Sequence, residues 1–388
     1  MKTLKDISDI TDKKVIIRVD FNVPLDEEGG VVDDKRIRYA LPTINQLLEA
    51  GVSKLIVMTH AGRPKNNELN LQTDKIAEKL AELLGQEVAK VNDWGENGLS
   101  EAKIVMLENL RFHSAEKSKD ESERDVFGKQ LASLADIYIN EAFSNSHRDH
   151  ASMTSVPKFI SGYAGIGVEK EVDRIKKAIE DPEHPVVAII GGLKADKLNA
   201  INNLLNTADD ILVAGALAFT LLKAEGKNMG SSKIDDEGLG EMGELIEKIK
   251  ASGKVYLPTD CVIADEFSEN ANSKEVSVDE VEDGWMALDI GPATVSHYTA
   301  KLKEAKTILW FGPIGVFEME KFSHGTSAIG KAIAENDAVS IIGGGDSASA
   351  VKKMGLEDKM TLVSTGGGAS LTMIEGKKLP AIEALNNL

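Results

Sequence analysis

Arginine and histidine side chains gather near the ends of predicted strands in the first half of the chain. Short apolar runs there are followed within a few residues by cationic or polar groups. One further cation, Arg18, lies inside the first of these runs. The whole set is Arg18, Asp20, Asn22, Arg36, His60, Arg63, Arg111, His113, His147, Arg148 and His150. An arginine fork matches two oxygens of a phosphate or carboxylate at once. Because ligands of parallel sheets bind beyond the carboxyl ends of the strands, the pattern predicts an anion site in this half.

Each of these side chains, taken alone, has an ordinary structural alternative. A single arginine often makes only a surface salt bridge, and a single histidine is usually a core or surface residue. A histidine metal site is disfavoured, because no set of carboxylate partners accompanies the histidines. The repetition at successive strand ends favours the anion site over these alternatives.

Glycine replaces the cations at the strand ends of the second half. The runs VVAIIGG, SIIGGGD and LVSTGGG each reach a cluster of glycines and lead into a predicted helix. Glycine lets the backbone approach an anion closely, and the free N–H groups at a helix start favour phosphate. Glycine also serves tight packing of a strand against a helix. The triple-glycine turns nevertheless predict a nucleotide or polyphosphate site.

Charged residues accompany the glycine turns. Asp346 follows three glycines at a helix start, where a carboxylate either caps the helix or binds a magnesium ion that carries phosphates. Lys194 and Lys197 lie at the start of another predicted helix, spaced so that both ammonium groups face one anion. The chain has no GxxxxGK[ST] loop, and no GxGxxG turn joins a predicted strand to a helix. This argues against a phosphate-loop nucleoside triphosphatase and a typical NAD dehydrogenase.

A short apolar strand followed by an amphipathic helix recurs along the chain, and these elements must position the side chains above. Predicted strands span residues 14–21, 54–60, 104–110, 137–143, 186–192, 211–217, 255–264, 307–313, 339–345 and 361–368. Near-continuous apolar runs are typical of strands buried on both faces. The sequence therefore predicts an α/β fold with doubly wound, Rossmann-like parallel sheets.

The alternation breaks once, around residues 150–185. A charged stretch there has an apolar stripe at Val172, Ile175 and Ile179 and is followed by two prolines. This pattern predicts a helix that ends before the prolines. We interpret it as an interdomain helix and hinge that join two similar lobes.

Length and composition limit the class of protein. A chain of 388 residues accommodates two or three domains. A formal charge of −18 disfavours nucleic acid and anionic membranes as partners. The single cysteine, Cys261, excludes an intrachain disulfide framework. Neither a signal-peptide core nor an apolar segment of membrane-spanning length is present, so we expect a cytoplasmic protein.

Short segments spread in order over nearly the whole chain resemble the phosphoglycerate kinase family. They are RVDFNVPL (18–25), HAGRP (60–64), LENLRFH (107–113), AFSNSHRDHAS (142–152), ADEFS (264–268), DIGP (289–292), GPIGVFE (312–318), GGGDSASAV (343–351) and STGGGASL (364–371). The resemblance implies reversible phosphoryl transfer from ATP to the carboxylate of 3-phosphoglycerate, a reaction of glycolysis and gluconeogenesis. It also implies an N-terminal lobe for the acid, residues 1–165 with 375–388 folded back onto it, and a nucleotide lobe of residues 166–374.

The resemblance assigns roles to individual residues, position by position. The acid contacts fall on Asp20, Phe21, Asn22, Arg36, His60, Ala61, Gly62, Arg63, Arg111, His147 and Arg148. The nucleotide contacts fall on Lys197, Glu318, Gly343, Gly344, Gly345, Asp346 and Ser347. Of these, Asp346 would lie near the magnesium ion and Glu318 at the ribose hydroxyls. For the transferred phosphoryl group, we expect stabilisation by Arg36, by one of Lys194 and Lys197, and by the helix N-terminus at Gly366 and Gly367.

Departures from the family pattern bear on these roles. GGLKADK has a shorter spacing between its lysines than the family usually has, which leaves the roles of Lys194 and Lys197 open. Phe311 stands where the family commonly has asparagine, and Ser144 where it more often has glycine. The alternatives are a module that keeps the fold without the chemistry and another anion-handling α/β enzyme such as a dehydrogenase.

The implied reaction needs no general base, because a carboxylate with a pKa near about 3.5 is already an anion at neutral pH. We expect positioning and cations to stabilise a loose, metaphosphate-like transition state. Since acid and nucleotide would bind to different lobes, we expect hinge closure that also excludes water. We further expect a monomer, with Mg²⁺ carried by ATP or ADP and with no nucleic-acid or membrane partner.

Overall fold

The computed structural model describes residues 1–93, 98–193, 197–237, 243–364 and 366–386. The chain divides into two compact units. Unit 1 comprises Met1–Val172 together with Lys378–Leu388, and unit 2 comprises Asp173–Lys377. The division falls inside a helix rather than at residue 165.

Unit 1 is built on a six-stranded sheet in which all neighbouring strands are parallel. Its strands are β1 (Lys14–Val19), β2 (Lys54–Met58), β3 (Ala89–Val91), β4 (Ile104–Leu107), β5 (Ile137–Glu141) and β6 (Ser161–Ala164). The order across the sheet is β3-β4-β2-β1-β5-β6. The gap between β1 and β5 is therefore a topological switch point, where sheets of this kind bind ligands.

Amphipathic helices follow several of these strands. They are α1 (Lys35–Glu49), α2 (Asp74–Leu84), α3 (Glu121–Ala132) and α4 (Ile166–Glu180), the last of which contains the unit boundary. Buried apolar residues recur every three or four positions along α1: Ile37, Ala40, Ile44 and Leu47. This face belongs to the same apolar core as Val15 and Ile17 of β1. The predicted interdomain helix corresponds to α4, with Val172 and Ile175 buried.

Unit 2 contains a second six-stranded parallel sheet and a smaller antiparallel one. Its strands are β7 (Val186–Ile190), β8 (Asp210–Val213), β9 (Val255–Tyr256), β10 (Asp260–Ala264), β11 (Ser273–Ser277), β12 (Met286–Ile290), β13 (Thr307–Phe311), β14 (Val339–Gly343) and β15 (Leu362–Val363). The larger sheet has the order β15-β14-β13-β7-β8-β9. Its switch point lies between β7 and β13.

Helices of unit 2 begin just after several of these strands. They are α5 (Leu198–Leu204), α6 (Gly215–Ala224), α7 (Gly243–Ala251), α8 (Pro292–Glu304), α9 (His324–Ala334), α10 (Gly345–Lys353) and α11 (Gly367–Ile374). A last helix, α12 (Pro380–Ala384), belongs to unit 1. There the Ala381 N–H donates to the Ser146 carbonyl at 3.2 Å, beside the loop that follows β5.

The prediction of a single strand over residues 255–264 is wrong. Val255–Tyr256 pairs with β8, whereas Asp260–Ala264 forms the centre of the antiparallel sheet β11-β10-β12. Pro258 lies between the two segments and has no N–H to donate to a strand ladder, so the run divides there. The edge strand β11 was missed because its residues are mostly polar and partly exposed.

The doubly wound α/β class is confirmed in both units. The predicted strands ended too late wherever glycine or polar residues followed the apolar run, as at Val19 and Val363. Within the described residues, no helix is long and apolar enough to cross a membrane. Cys261 is buried and carries a free thiol.

Candidate functional site

The loops after β1 and β5 meet at Asp20. Its carboxylate accepts a hydrogen bond from Arg36 at 2.5 Å and another from the Ser144 hydroxyl. Arg36 lies at the start of α1, and its side chain remains 40% exposed. Asp20 therefore orients the Arg36 guanidinium and leaves part of its fork open to solvent. A recess of about 430 Å³ lies beside Arg36, within the size range of small-molecule sites.

The loop after β2 is fixed by polar contacts to its neighbours. The Gly62 N–H donates to Asn22 Oδ1 at 2.7 Å, and the Ala61 N–H donates to Asn109 Oδ1 at 3.1 Å. Arg111 Nη1 donates to the Gly62 carbonyl at 2.5 Å. Gly62 has a φ of +60°, a conformation that side chains disfavour. The structure thus brings Asn22, Ala61, Gly62 and Arg111 into one connected surface.

His60 lies beneath this surface and is only 3% exposed. Its Nδ1 is 3.1 Å from Nη2 of Arg18, near the end of β1. Arg18 is itself fully buried; the sequence pattern includes it among the cations of the anion site but assigns it no contact with the substrate. The apolar pattern of a strand gives no signal for a buried arginine. The cluster of cations was therefore the only sequence feature that indicated a role for Arg18.

The cations of unit 1 are close enough to change one another's pKa values. Burial, Arg18 and Arg148 lower the pKa of Arg111 to about 10. Burial, Arg18 and Arg111 hold the pKa of His60 well below its usual range. The same three causes lower the pKa of His150 to about 3. An anion bound among these groups would offset the repulsion between their positive charges.

The other predicted residues of unit 1 differ in their surroundings. Arg63 and Arg148 are exposed, and neither forms an ion pair with any described residue. Phe21 is fully buried, and its N–H donates to Thr59 Oγ1 at 2.9 Å. It therefore fixes the loop after β1 through its backbone and ring packing. Burial and Arg148 lower the pKa of the half-buried His147.

Two glycine turns meet at the switch point of unit 2. The Gly191 N–H donates to the Phe311 carbonyl at 2.8 Å, and the Gly192 N–H to the Pro313 carbonyl at 3.1 Å. A Cβ on Gly191 would lie 2.1 Å from the Pro313 oxygen, and one on Gly312 would lie 2.1 Å from the Gly191 oxygen. Such distances exclude a side chain at either position, so glycine is required where the turns cross.

Lys197 adds a cation to this crossing. It lies directly before α5, and its ammonium donates to the Gly191 carbonyl. The same nitrogen lies 2.5 Å from the positions that Cβ atoms on Gly192 and Gly312 would take. Lys194 lies outside the described residues, so its pairing with Lys197 on one helix face stays a prediction.

The glycine turns after β14 and β15 pack against each other. A Cβ on Gly367 would lie 2.8 Å from the Gly344 Cα and 3.1 Å from the Gly345 nitrogen. Gly344, with a φ of +101°, and Gly366 directly precede α10 and α11. Ser347 connects this pair to the crossing described above, since its Oγ accepts the Gly312 N–H at 2.7 Å. The predicted nucleotide residues from Gly343 to Ser347 thus lie beside Gly366 and Gly367.

Two exposed acidic residues flank these turns. Glu318 lies after β13, and its backbone carbonyl accepts a hydrogen bond from Lys353 at 3.2 Å. Asp346 lies in the first turn of α10, and no hydrogen bond joins its side chain to another described residue. No group of three or more His, Cys, Asp or Glu among the described residues could hold a metal ion. One open carboxylate beside a helix start fits Mg²⁺ that arrives on phosphates, because that ion commonly binds one or two carboxylates together with substrate phosphates.

Asp289 is a buried carboxylate that sequence reasoning missed. It is fully buried and accepts the Gly325 N–H at 2.8 Å, at the start of α9. A Cβ on Gly315 would lie 2.2 Å from its Oδ1, so Asp289 packs directly under the loop that leads to Glu318. Burial raises the pKa of Asp289 to about 7, although N–H donation by Gly325 and Ile290 opposes this. Its only sequence signal was its place in the segment DIGP.

Similarity to known proteins extends along almost the whole chain. The family model described as phosphoglycerate kinase matches residues 4–377. The chain belongs to the phosphoglycerate kinase family. A phosphoglycerate kinase of Moorella thermoacetica is 47% identical over 393 residues, which cover 99% of this chain and 98% of that protein. Phosphoglycerate kinase 3, cytosolic, of Arabidopsis thaliana is 46% identical over 397 residues, covering 99% and 98% respectively.

Solved structures of phosphoglycerate kinases have the same fold. That of Coxiella burnetii is 36% identical and superimposes with a TM-score of 0.87, covering 99% of this chain and 98% of the other. That of Pyrococcus horikoshii is 30% identical with a TM-score of 0.82, covering 100% and 99%. The predicted family and activity are confirmed: this protein is a glycolytic kinase that transfers a phosphoryl group to a carboxyl group.

Two departures from the phosphoglycerate kinase pattern have structural explanations. Phe311 is 2% exposed, and its ring occupies the space beside Gly343, where a Cβ would lie 2.0 Å from the ring. The bulkier residue is therefore accommodated in the core by a glycine on the neighbouring strand. Ser144 donates to Asp20, so its hydroxyl adds a connection between the loops after β5 and β1.

Proposed function

We propose that this phosphoglycerate kinase binds 3-phosphoglycerate through the cations around His60 in unit 1 and ATP or ADP through the glycine turns of unit 2. The observation that carries the proposal is geometric: Arg18 contacts His60 at 3.1 Å, and Arg111 donates to the Gly62 carbonyl in the loop that follows His60. Burial, Arg18 and Arg148 disfavour the charge of Arg111 strongly enough to lower its pKa to about 10. A ligand with both a phosphate and a carboxylate relieves this repulsion.

The acid site uses side chains on several loops. Arg36 is held by Asp20 at 2.5 Å and keeps an open edge. Arg63, Arg148 and Arg111 supply further guanidinium groups, while Asn22 orders the loop that carries Arg63. The predicted contacts of Phe21, Ala61, Gly62 and His147 complete this proposal, with Phe21 contributing through its backbone.

The nucleotide site uses mainly backbone groups. The N–H groups at the starts of α10 and α11, from Gly344 to Ser347 and at Gly367, bind the phosphates of ATP or ADP. The predicted contribution of the Gly366 N–H is not supported, because it donates to Ser364 Oγ at 3.1 Å. Glu318 accepts the ribose hydroxyls, and Asp346 binds Mg²⁺ that the nucleotide brings. When bound, this ion neutralises part of the phosphate charge.

The chemical step requires positioning and cationic stabilisation. The substrate carboxylate, with a pKa near about 3.5, attacks as an anion, so no residue has to remove a proton. Arg36 and Lys197, together with the Gly367 N–H at the start of α11, stabilise the charge on the transferred phosphoryl oxygens. Because the two ligands bind to different units, transfer requires a hinge movement that brings them together and excludes water. The role of Lys194 remains a prediction within this scheme.

We also propose that the protein acts as a monomer in the cytoplasm. A relative of similar length from Arabidopsis thaliana carries the name cytosolic. A single buried thiol, Cys261, suits a reducing compartment. Light scattering of the purified protein should give a mass near 41.8 kDa, and a mass twice as large would contradict the monomer.

The test of the proposed function is a coupled assay with binding measured in parallel. Purified protein with Mg²⁺, ATP and 3-phosphoglycerate should form ADP and 1,3-bisphosphoglycerate, and chelation of the ion should stop the reaction. Calorimetry should show that Arg111→Ala weakens 3-phosphoglycerate binding but leaves ADP binding unchanged. A variant that loses ADP binding instead would overturn the assignment of the acid to unit 1.

A further inference from the structure

Arg18 contacts three groups in a buried network under the candidate acid site. Its Nε donates to Ser152 Oγ at 2.9 Å, its Nη2 contacts His60 Nδ1 at 3.1 Å, and its Nη1 donates to the Val19 carbonyl. Ser152 in turn donates to Glu116. The four side chains of this network, those of Arg18, His60, Ser152 and Glu116, are all at least nine-tenths buried. Several long-range contacts thus converge on one guanidinium.

The direction of each hydrogen bond follows from the chemistry of arginine. A guanidinium in a protein stays protonated and can only donate, so every partner of Arg18 must accept. Ser152 Oγ accepts from Arg18 and therefore directs its own proton to Glu116 Oε1, 2.7 Å away. The Ser152 N–H donates to the other oxygen, Oε2, at 3.0 Å. Both oxygens of Glu116 thus act as acceptors, although burial raises the pKa of this carboxyl group.

The same rule determines the proton position on His60. Its Nδ1 faces Arg18 Nη2 and must be an acceptor, so the proton of the neutral ring lies on Nε2. A protonated ring would place two donors against each other. Burial and the nearby Arg18 and Arg111 also hold the pKa of His60 well below its usual range. Among the described residues, none accepts a hydrogen bond from Nε2.

We propose that Ser152 and Glu116 are positioning residues that act through Arg18 to fix His60 as the Nε2–H tautomer, which donates a neutral hydrogen bond to an oxygen of the bound substrate. The substrate half of this inference rests on the proposed acid site. A neutral donor suits this position, because another positive charge would repel the guanidinium groups around it. The site thereby gains a hydrogen bond without adding to the repulsion that already lowers the pKa of Arg111.

The first test needs no substitution in the network. The protein labelled with ¹⁵N in its histidines is examined by long-range ¹H–¹⁵N correlation between pH 6 and 8, and the His60 signals are assigned as those missing from His60→Gln. We expect a protonated Nε2 and an unprotonated Nδ1 over the whole range. A ring that is protonated on Nδ1, a mixture of tautomers, or conversion to imidazolium above pH 6 would overturn the inference.

The second test asks whether Ser152 controls the tautomer. Ser152→Ala removes the hydroxyl between Arg18 and Glu116, and we expect a mixture of His60 tautomers and a KM for 3-phosphoglycerate that rises about fivefold to tenfold, with little change in kcat. Ser155→Ala is the matched control, because it removes a buried hydroxyl that donates to Asp125 at 2.7 Å without touching Arg18. Glu116→Gln provides a second perturbation if Ser152→Ala does not fold.

The outcomes separate this inference from the proposed function. Unchanged His60 spectra in both Ser152→Ala and Glu116→Gln would overturn the positioning roles, whatever the enzyme activity. If wild-type His60 has the expected tautomer but its signals do not move when 3-phosphoglycerate binds, the substrate half is overturned together with the placement of the acid at His60. A shift of the Nε2–H proton on adding 3-phosphoglycerate supports both.

Discussion

Each of the two units is built on its own parallel six-stranded sheet, and the sites proposed in them offer anions different chemical groups. In unit 1 these groups are side chains, with Arg111 and His60 crowded around the buried Arg18. In unit 2 we propose that they are backbone N–H groups at the starts of α10 and α11, beside the turns at Gly191 and Gly312, where a side chain would clash. The first arrangement places positive charges that repel one another side by side, whereas the second requires glycine wherever a side chain would clash. Under this proposal, the carboxyl ends of parallel strands support two kinds of anion recognition.

The largest expected effect is steric and concerns unit 2. Gly312→Ala places a Cβ 2.1 Å from the Gly191 oxygen at a φ of +95°, so we expect the free energy of unfolding to fall by at least about 4 kcal/mol. Gly345→Ala is the matched change, because no atom lies within 4 Å of its Cβ position. We expect it to alter stability by no more than about 0.5 kcal/mol. Urea unfolding of both variants measures the difference, and equal stabilities would contradict the crossing of the turns.

The next effect is electrostatic and concerns unit 1. We expect Arg36→Ala to lower kcat by at least about 100-fold, because the guanidinium stabilises charge in the transition state, while ADP affinity changes little. Arg38→Ala is its control on the same helix, since Arg38 pairs with Asp34 at 2.9 Å and is 58% exposed. We expect that variant to stay within about twofold of wild type. Near-normal turnover in Arg36→Ala would remove it from the chemical step.

A pH dependence of opposite sign distinguishes buried groups in the two units. The pKa of Asp289 is raised to about 7 in the folded protein, so its native state binds the proton more tightly than the unfolded chain. Its contribution to stability is therefore present at low pH and is lost as the pH rises from about 4 to 7, by up to about 1.4 kcal/mol per pH unit. Asp289→Asn should remove this slope from urea unfolding curves measured across the range.

His150 in unit 1 should show the reverse. Burial and neighbouring arginines lower its pKa to about 3, so the unfolded chain binds the proton more tightly. Stability is then lost as the pH falls below about 6.5, the usual pKa of histidine. His150→Gln should therefore make unfolding less sensitive to acid. If Asp289→Asn and His150→Gln change the pH slope in the same direction, this assignment of buried charge is wrong.

The smallest effect concerns the exposed carboxylate of unit 2. We expect Asp346→Ala to weaken binding of the magnesium complex of ADP about tenfold, equivalent to about 1.4 kcal/mol, and to leave binding of metal-free ADP nearly unchanged. Asp337→Ala is the control. Asp337 lies just before β14, whereas Asp346 lies just after it, and both carboxylates are exposed. Calorimetry with and without the ion gives the comparison, and equal losses for both forms of ADP would place Asp346 away from the metal.

Most of the fold could be predicted from local patterns. Buried parallel strands are continuous apolar runs, so β1, β7 and β13 are recognisable in the sequence. The antiparallel strand β11 is not, because SKEVS has no apolar run. The predicted ends of several strands were also misplaced, because the sequence does not show at which residue the chain leaves the hydrogen-bonded ladder of the sheet.

The candidate site could be predicted only as residue types at strand ends. The contact between Arg18 and Ser152 joins positions 134 residues apart, and that between Ser144 and Asp20 joins positions 124 apart. Such pairs depend on how loops from different strands meet, which a single sequence does not encode locally. The same holds for Asp289, whose burial beneath Gly315 follows from the packing of a loop that the motif alone does not describe.

The most direct test of the contrast between the units is an NMR titration with each substrate in turn. The magnesium complex of ADP should shift backbone amide signals between Gly343 and Ser347 and at Gly366 and Gly367. 3-Phosphoglycerate should instead shift the guanidinium signals of Arg36 and Arg111 and the imidazole signal of His60. Nucleotide-induced shifts confined to the side chains of unit 1, or shifts from the acid confined to the glycine turns of unit 2, would contradict the account.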